Sequence, residues 1–233
     1  GAFNVASDGP PRPGSGARAY LAVQGGFKLE PWLESLSTNI KAMAGGFEGR
    51  SLRNGDEIIC RSEKDYSALL PGKNFRVMPW TADILTNDTS KELFVLPGNE
   101  WDRLTEQAKE KFLNTPFVIT KLADRMGYHL GNEPLAILPG EELVSSAVNT
   151  GTVQLLPDGR LIILMAEHQT AGGYPRLAHV ITAHHSRLAQ QKSGDAVYFR
   201  LTDIAKAEDL LLRQQQRVKQ LQNACLLKLQ VYA

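Results

Sequence analysis

The chain has 233 residues, 42% of them hydrophobic and 22% charged, with a formal net charge of +1. That length can bury a real core in one large or two small domains, and the near-neutral balance, with Lys and Arg scattered rather than blocked, gives no electrostatic attraction to nucleic acid or an anionic membrane. No apolar run approaches the roughly 20 residues of a membrane span, and the start lacks a charged-then-apolar leader pattern. The two cysteines, Cys60 and Cys225, form no CxxC pair or disulfide framework, which points to a reducing cytoplasm.

Residues 1–16 are rich in Gly, Pro, Ser and Ala and read as a flexible lead-in. A β-prone run, 17–23, ends at Gly25-Gly26, residues 34–43 fit no period, and 45–50 (Gly-Gly-Phe-Glu-Gly-Arg) read as a turn. Gly55-Asp56 leads into a short strand at 57–60. The polar stretch 61–73, ending at Pro71-Gly72, is an excursion or linker, a strand is expected at 75–78, and a domain boundary in 81–91. The expected organisation is a β domain over 17–80, a second over 92–203 and a helix over 204–228.

The second half has clearer punctuation. A strand at 93–96 is stopped by Pro97-Gly98, and a helix follows with Trp101, Leu104, Ala108 and Phe112 on one face. After a strand at 117–120, two β-prone runs, 152–156 and 160–165, flank Pro157-Asp158-Gly159. Pro presets φ and Gly supplies φ > 0, so this is a hairpin. Strands are expected at 177–182 and 197–201. The final helix carries Ile204, Ala207, Leu211, Val218, Leu221 and Cys225 in a three-four alternation that Gln214 interrupts. It either packs on its own barrel or binds a partner. Several short strands, few helices and Gly-rich turns make the fold class mainly β, a barrel or sandwich.

Chemistry concentrates between residues 165 and 176. Gln169 brings a donor and an acceptor, Thr170 and Tyr174 bring hydroxyls, Gly172-Gly173 admit close backbone approach in the manner of an anion nest, and Arg176 has a planar fork. The set either orients a small amide or carboxylate or is a tight polar turn with incidental side chains. His168, His179, His184 and His185 cluster in sequence. Adjacent His184 and His185 diverge on a strand or helix, so no metal site is expected. Arg125 in Asp124-Arg125-Met126-Gly127-Tyr128 is either an anion anchor or half of a surface ion pair, and Asn99 or Glu100 reads as serving the next helix start. With no GxxxxGK[ST] loop, no GxSxG elbow and no Met-Lys-Met triplet, any ATP or biotin chemistry belongs to another chain.

The stretch from Ser145 through Gly151-Thr152-Val153-Gln154, Pro157-Asp158-Gly159, Gln169-Thr170-Ala171-Gly172-Gly173-Tyr174-Pro175 and Leu188-Ala189-Gln190 resembles the allophanate hydrolase subunit 2 family. That family includes the C subunit of 5-oxoprolinase, the KipA proteins and part of the biotin-dependent carboxyltransferase domain of urea carboxylase. The resemblance runs back through Asp124-Arg125-Met126-Gly127-Tyr128, Leu96-Pro97-Gly98-Asn99-Glu100, the turn at 45–50 and Arg18-Ala19-Tyr20-Leu21-Ala22-Val23, covering nearly everything after Gly16.

The resemblance implies cyclophilin-like β-barrel domains with a ligand cleft. It also implies a hetero-oligomer with the A and B subunits of 5-oxoprolinase that opens 5-oxoproline to glutamate at the expense of ATP, none of it bound by this chain alone. Gln169, Thr170, Gly172, Gly173 and Tyr174 would line the cleft, with Gln154 and Arg125 as supporting contacts. The alternatives are a carboxyltransferase component for urea or a related amide, using biotin on another chain, and a KipA-like regulator of a kinase inhibitor. The opening family segments, of the form TTVQD.GR.G and SGAMD, have no counterpart, so a site built partly from them is expected to be incomplete. The usual GSRST reads Glu34-Ser35-Leu36-Ser37-Thr38, Glu167 stands for an Asp, and His184 stands for another.

Overall fold

The computed structural model describes residues 2–4, 17–23, 25–61, 90–140 and 142–232. They fall into two units, one drawn from residues 1–15 and 19–80 and the other from 16–18 and 81–233. The strand expected at 75–78, most of the boundary region 81–91 and most of the lead-in lie outside the described residues.

In the first unit, β1 (Ala2–Asn4), inside the stretch read as a flexible lead-in, pairs antiparallel with β2 (Glu57–Ile59), Phe3 opposite Ile58. Residues 34–43 form turns closed by single bridges, Trp32 to Ser35 and Asn39 to Ala44. The turn at 45–50 needs glycine: Gly46 has φ +54°, and a Cβ there would stand 2.1 Å from Thr38 Oγ1. Arg50 closes this region on Asp56 through two hydrogen bonds, 2.7 and 2.9 Å. Those bonds, with one from the Arg53 backbone N–H, hold the Asp56 carboxyl down to about 2. Residues 17–23 join no sheet, contrary to their β-prone composition. Tyr20 and Leu21 are exposed, so no apolar face drives pairing.

The second unit is a closed barrel. β3 (Glu92–Pro97) alternates as expected, with Leu93 and Val95 inside. The helix expected next is split. A 3₁₀ turn (Trp101–Arg103) is followed by extended Leu104, which bridges to Ile137, and then by α1 (Glu106–Asn114). The break is set by Thr105, an extended N-cap whose hydroxyl accepts the Ala108 N–H at 3.2 Å. The stripe itself is real, since Trp101, Leu104, Ala108 and Phe112 are all buried.

Then come β4 (Phe117–Ile119), β5 (Gly127–Gly131), β6 (Ser146–Ala147), β7 (Thr152–Leu155), β8 (Leu161–Leu164), β9 (Ala171–Gly172) and β10 (Arg176–Val180). A 3₁₀ turn (Thr182–His184), α2 (His185–Ala189), β11 (Ala196–Leu201) and α3 (Ile204–Tyr232) complete the unit. The barrel order is β10-β3-β11-β4-β5-β8-β7, and β6 and β9 form a separate two-stranded sheet. β3 and β11 run parallel, and the other barrel neighbours run antiparallel. The mainly β class, the hairpin of β7 and β8, and the C-terminal helix are as the sequence indicates.

α3 is longer than expected and has no fully buried side chain among residues 204–227. Its polar interruption has a cause: Gln214 Nε2 donates to the Ala183 carbonyl of the preceding 3₁₀ turn at 3.2 Å. No helix among the described residues is long and apolar enough to cross a membrane.

Phe112 links α1 to the barrel. Its ring stacks on Phe199 of β11 at 4.5 Å and 10°, and meets Trp101 edge-on at 5.3 Å. Because Phe112 is fully buried, Phe112→Ala is expected to lower unfolding free energy by about 3–5 kcal/mol. Urea denaturation followed by far-UV circular dichroism tests this, and a change below about 1 kcal/mol would remove Phe112 from the core.

Candidate functional site

β7 is buried at all four positions. Val153 and Leu155 belong to the core, which leaves Thr152 and Gln154 on the other face by the two-residue period of a strand. Gln154 and Thr152 are nevertheless 0% exposed. β9 lies over Gln154: a Cβ on Gly172 would stand 2.9 Å from Gln154 Nε2 and 3.5 Å from Gln169 Nε2. The two side-chain amides therefore converge where Gly172 has no side chain. Gln154 Nε2 makes a long 3.5 Å bond to the Tyr174 carbonyl, and its buried Oε1 has no hydrogen-bond partner.

The other expected contacts are placed less centrally. Gly173 faces the cover rather than a ligand, since its Cβ would meet the Leu143 carbonyl at 3.2 Å and Ser145 Oγ at 3.3 Å. Neither Gly172 nor Gly173 has the positive φ of a backbone nest, so the anion-nest reading gives way to close packing. Thr170 is exposed and holds the Val148 N–H through its carbonyl at 3.1 Å. Tyr174 is 44% exposed at the rim. Arg125 does not join the amides. It pairs with Glu167 at 2.7 Å, with both side chains well exposed.

A buried ion pair that sequence reasoning misses sits beside Gln154. Arg176, opposite Gln154 in the β7–β10 register, donates to Glu100 from its backbone N–H at 2.7 Å, from Nε at 3.2 Å and from Nη2 at 3.1 Å. Its Nη1 donates to Ser146 Oγ at 2.7 Å. Glu100 makes no side-chain cap on the 3₁₀ turn that follows it, so its expected helix-start role is replaced by this clamp. Burial alone would raise the Glu100 carboxyl, but the Arg176 hydrogen bonds and the Arg176 and Arg103 charges outweigh it and hold the group below the ordinary carboxylate range. Arg103 lies against Gly140, and its buried Nε has no partner.

The histidines serve the frame. His184, in place of a family Asp, is buried and accepts the Phe94 N–H at Nδ1 (3.0 Å). His185 Nε2 meets the Val180 carbonyl at 3.1 Å. His179 Nδ1 lies 3.2 Å from Thr152 Oγ1, and burial first, then the Arg176 charge, lowers its pKa and keeps it neutral at pH 7. No group of three potential metal ligands occurs among the described residues. Leu36, at the departure from GSRST, is 40% exposed.

The face thus gathers two amides, one guanidinium and one carboxylate, with the Thr152–His179 pair beside them on β7 and β10. A family profile described as "Carboxyltransferase domain, subdomain A and B" matches residues 9–201, and the chain belongs to that family. It is 33% identical over 207 residues to the C subunit of 5-oxoprolinase from Escherichia coli K12, covering 88% of this chain and 62% of the relative. It is 34% identical over 195 residues to the C subunit of 5-oxoprolinase from Haemophilus influenzae, covering 84% and 59%. The chain thus spans less than two thirds of either relative. Its fold is similar to that of the urea amidolyase crystal structure from K. lactis, with a TM-score of 0.73 at 22% identity over 89% of this chain and 13% of that one.

Glu100→Ala is expected to cost about 1–3 kcal/mol at pH 7, because the partly buried Arg176, with its side chain 19% exposed, is left charged without its partner. The carboxyl is depressed in the folded state, so its contribution is complete above the unfolded value of about 4.3 and is lost as pH falls through the lower folded value. Urea unfolding of wild type and variant should therefore differ widely at pH 7 and converge in strong acid. A gap independent of pH would show that the pair does not stabilise the fold.

Proposed function

We propose that this chain supplies the substrate-orienting cleft of an ATP-dependent 5-oxoprolinase, assembled with A and B subunits in the cytoplasm. One observation carries the reading: the amides of Gln154 and Gln169 meet beside Gly172, and the buried Gln154 Oε1 lacks a donor. A lactam offers N–H and C=O along one edge, and a primary amide is its complement, Oε1 accepting and Nε2 donating. Opening 5-oxoproline to glutamate consumes two waters, one across the lactam C–N bond and one in the conversion of ATP to ADP and phosphate. A lactam is a poor electrophile, and fixed donors on its oxygen orient and polarise it.

Thr170 and Tyr174 complete the rim in this reading, Gly173 lets the covering segment pack closely, and Arg125 acts from the neighbouring loop. ATP is handled by the other subunits, since the guanidinium of this face, Arg176, is already neutralised by Glu100. The similarity to the C subunits of two bacterial 5-oxoprolinases supports the assignment.

The test is ATP-dependent glutamate release from 5-oxoproline by the assembled complex. Gln169→Ala is expected to lower turnover about 100-fold, the order seen when one oxyanion donor is removed, with assembly and melting unchanged. Unchanged kinetics would take Gln169 out of the site. Turnover that instead requires bicarbonate and a biotinylated partner would assign the chain to amide carboxylation. Tight partner binding without turnover in any mixture would assign it to regulation of the KipA kind.

A further inference from the structure

Away from the glutamine face, three stretches far apart in sequence meet around Arg18. Gln190 clamps the Arg18 backbone, accepting its N–H at Oε1 (3.1 Å) and donating from Nε2 to its carbonyl (3.0 Å). The guanidinium Nη1 donates to the phenol oxygen of buried Tyr128 at 2.9 Å and to the Ala189 carbonyl. The Tyr128 hydroxyl in turn donates to the Gln191 carbonyl at 3.1 Å. Every one of these partners is neutral. Arg18 is thus held in place, half-buried, with no ion pair and with Nη2 and Nε making no hydrogen bond among the described residues.

Arg18 borders a cavity of about 300 Å³ that Asp124, Arg125, Tyr128 and Lys192 also line. Asp124 Oδ1 is directed at the Met126 and Gly127 N–H groups, at 2.8 and 3.1 Å. Arg125 is paired with Glu167. The Lys192 ammonium makes no ion pair among the described residues. Three cationic side chains therefore line the cavity against one carboxylate. A half-buried cation such as Arg18 is ordinarily paired, and charge-assisted bonds to an oxyanion are the strong ones.

We propose that this cavity is an oxyanion-binding site, taking a carboxylate or phosphate group between the Arg18 guanidinium and the Lys192 ammonium. The two anchors, Arg18 and Lys192, lie outside the Gln154–Gln169 cluster, and Arg125 is the one residue that the cavity shares with the oxoprolinase reading.

Isothermal titration of the whole chain at low ionic strength with sodium phosphate, and separately with sodium acetate, tests it. Saturable one-to-one binding is expected for at least one anion, and the one bound more tightly identifies the group as phosphate or carboxylate. Lys192→Gln, at an exposed position, should weaken binding about tenfold, and Arg18→Gln should weaken it further. If Arg18→Gln fails to fold, Lys192→Gln decides alone. Absence of saturable binding by both anions, or affinity unchanged in Lys192→Gln, overturns the proposal.

Discussion

The buried pair between Glu100 and Arg176 fixes where the end of β3 meets the start of β10, and much of the polar face is built outward from it. One carboxylate takes the backbone N–H, Nε and Nη2 of Arg176, and the remaining Nη1 holds Ser146. Ser146 belongs to β6, which pairs Ser146 with Gly172 of β9. The chain of contacts thus runs from an ion pair to the placement of the residue that lies over Gln154. Burying two charges costs several kcal/mol per ion unless the geometry and hydrogen bonding are nearly complete. Here both partners are almost saturated, which explains how the pair is tolerated at a strand junction.

Gln154 presents the opposite case. It occupies a strand interior with no solvent access, yet its acceptor is unmade, an omission that costs about 1–3 kcal/mol. Leu or Val would fill such a position without that cost. Arg103 Nε is a further buried polar atom without a partner, here a donor, and it lies against Gly140 in the same covering segment that leads into β6. A fold that satisfies Glu100 and Arg176 so fully and leaves Gln154 and Arg103 unsatisfied nearby is stable around the face and under-satisfied within it.

The legible parts of the fold are those whose information is local. The hairpin follows from two β-prone runs around Pro157-Asp158-Gly159, and Gly159 does adopt φ +79°. The buried stripe of the α1 region follows from spacing, but its break does not, because Leu104 sits at helical spacing while its backbone bridges to Ile137. β5 is hidden because its alternation, Tyr128-His129-Leu130, is only three residues long and is flanked by Gly127 and Gly131. Glu100 misleads because its signal as a helix start is local and its partner is 76 residues away. In the candidate site, Gln154 and Gln169 are visible as residue types, but their convergence depends on β9 folding over β7, which no spacing encodes. Gln214 is a flaw in an apolar stripe only until the Ala183 carbonyl gives it a partner.

The amide face and the cationic cavity are joined by one loop, and the strength of its contacts bears on how independent they are. The Glu167 N–H donates to the Arg125 carbonyl at 2.9 Å, so the backbones of the two segments are tied beside the end of β8. Their side-chain ion pair is another matter. With Arg125 59% and Glu167 44% exposed, it is worth only about 0–1 kcal/mol. Little cost therefore attaches to opening that pair toward the cavity that Arg125 lines. Glu167 precedes Gln169 by two residues in the same loop. The backbone tie limits how far that loop can move, and the weak ion pair leaves its side chains free to respond.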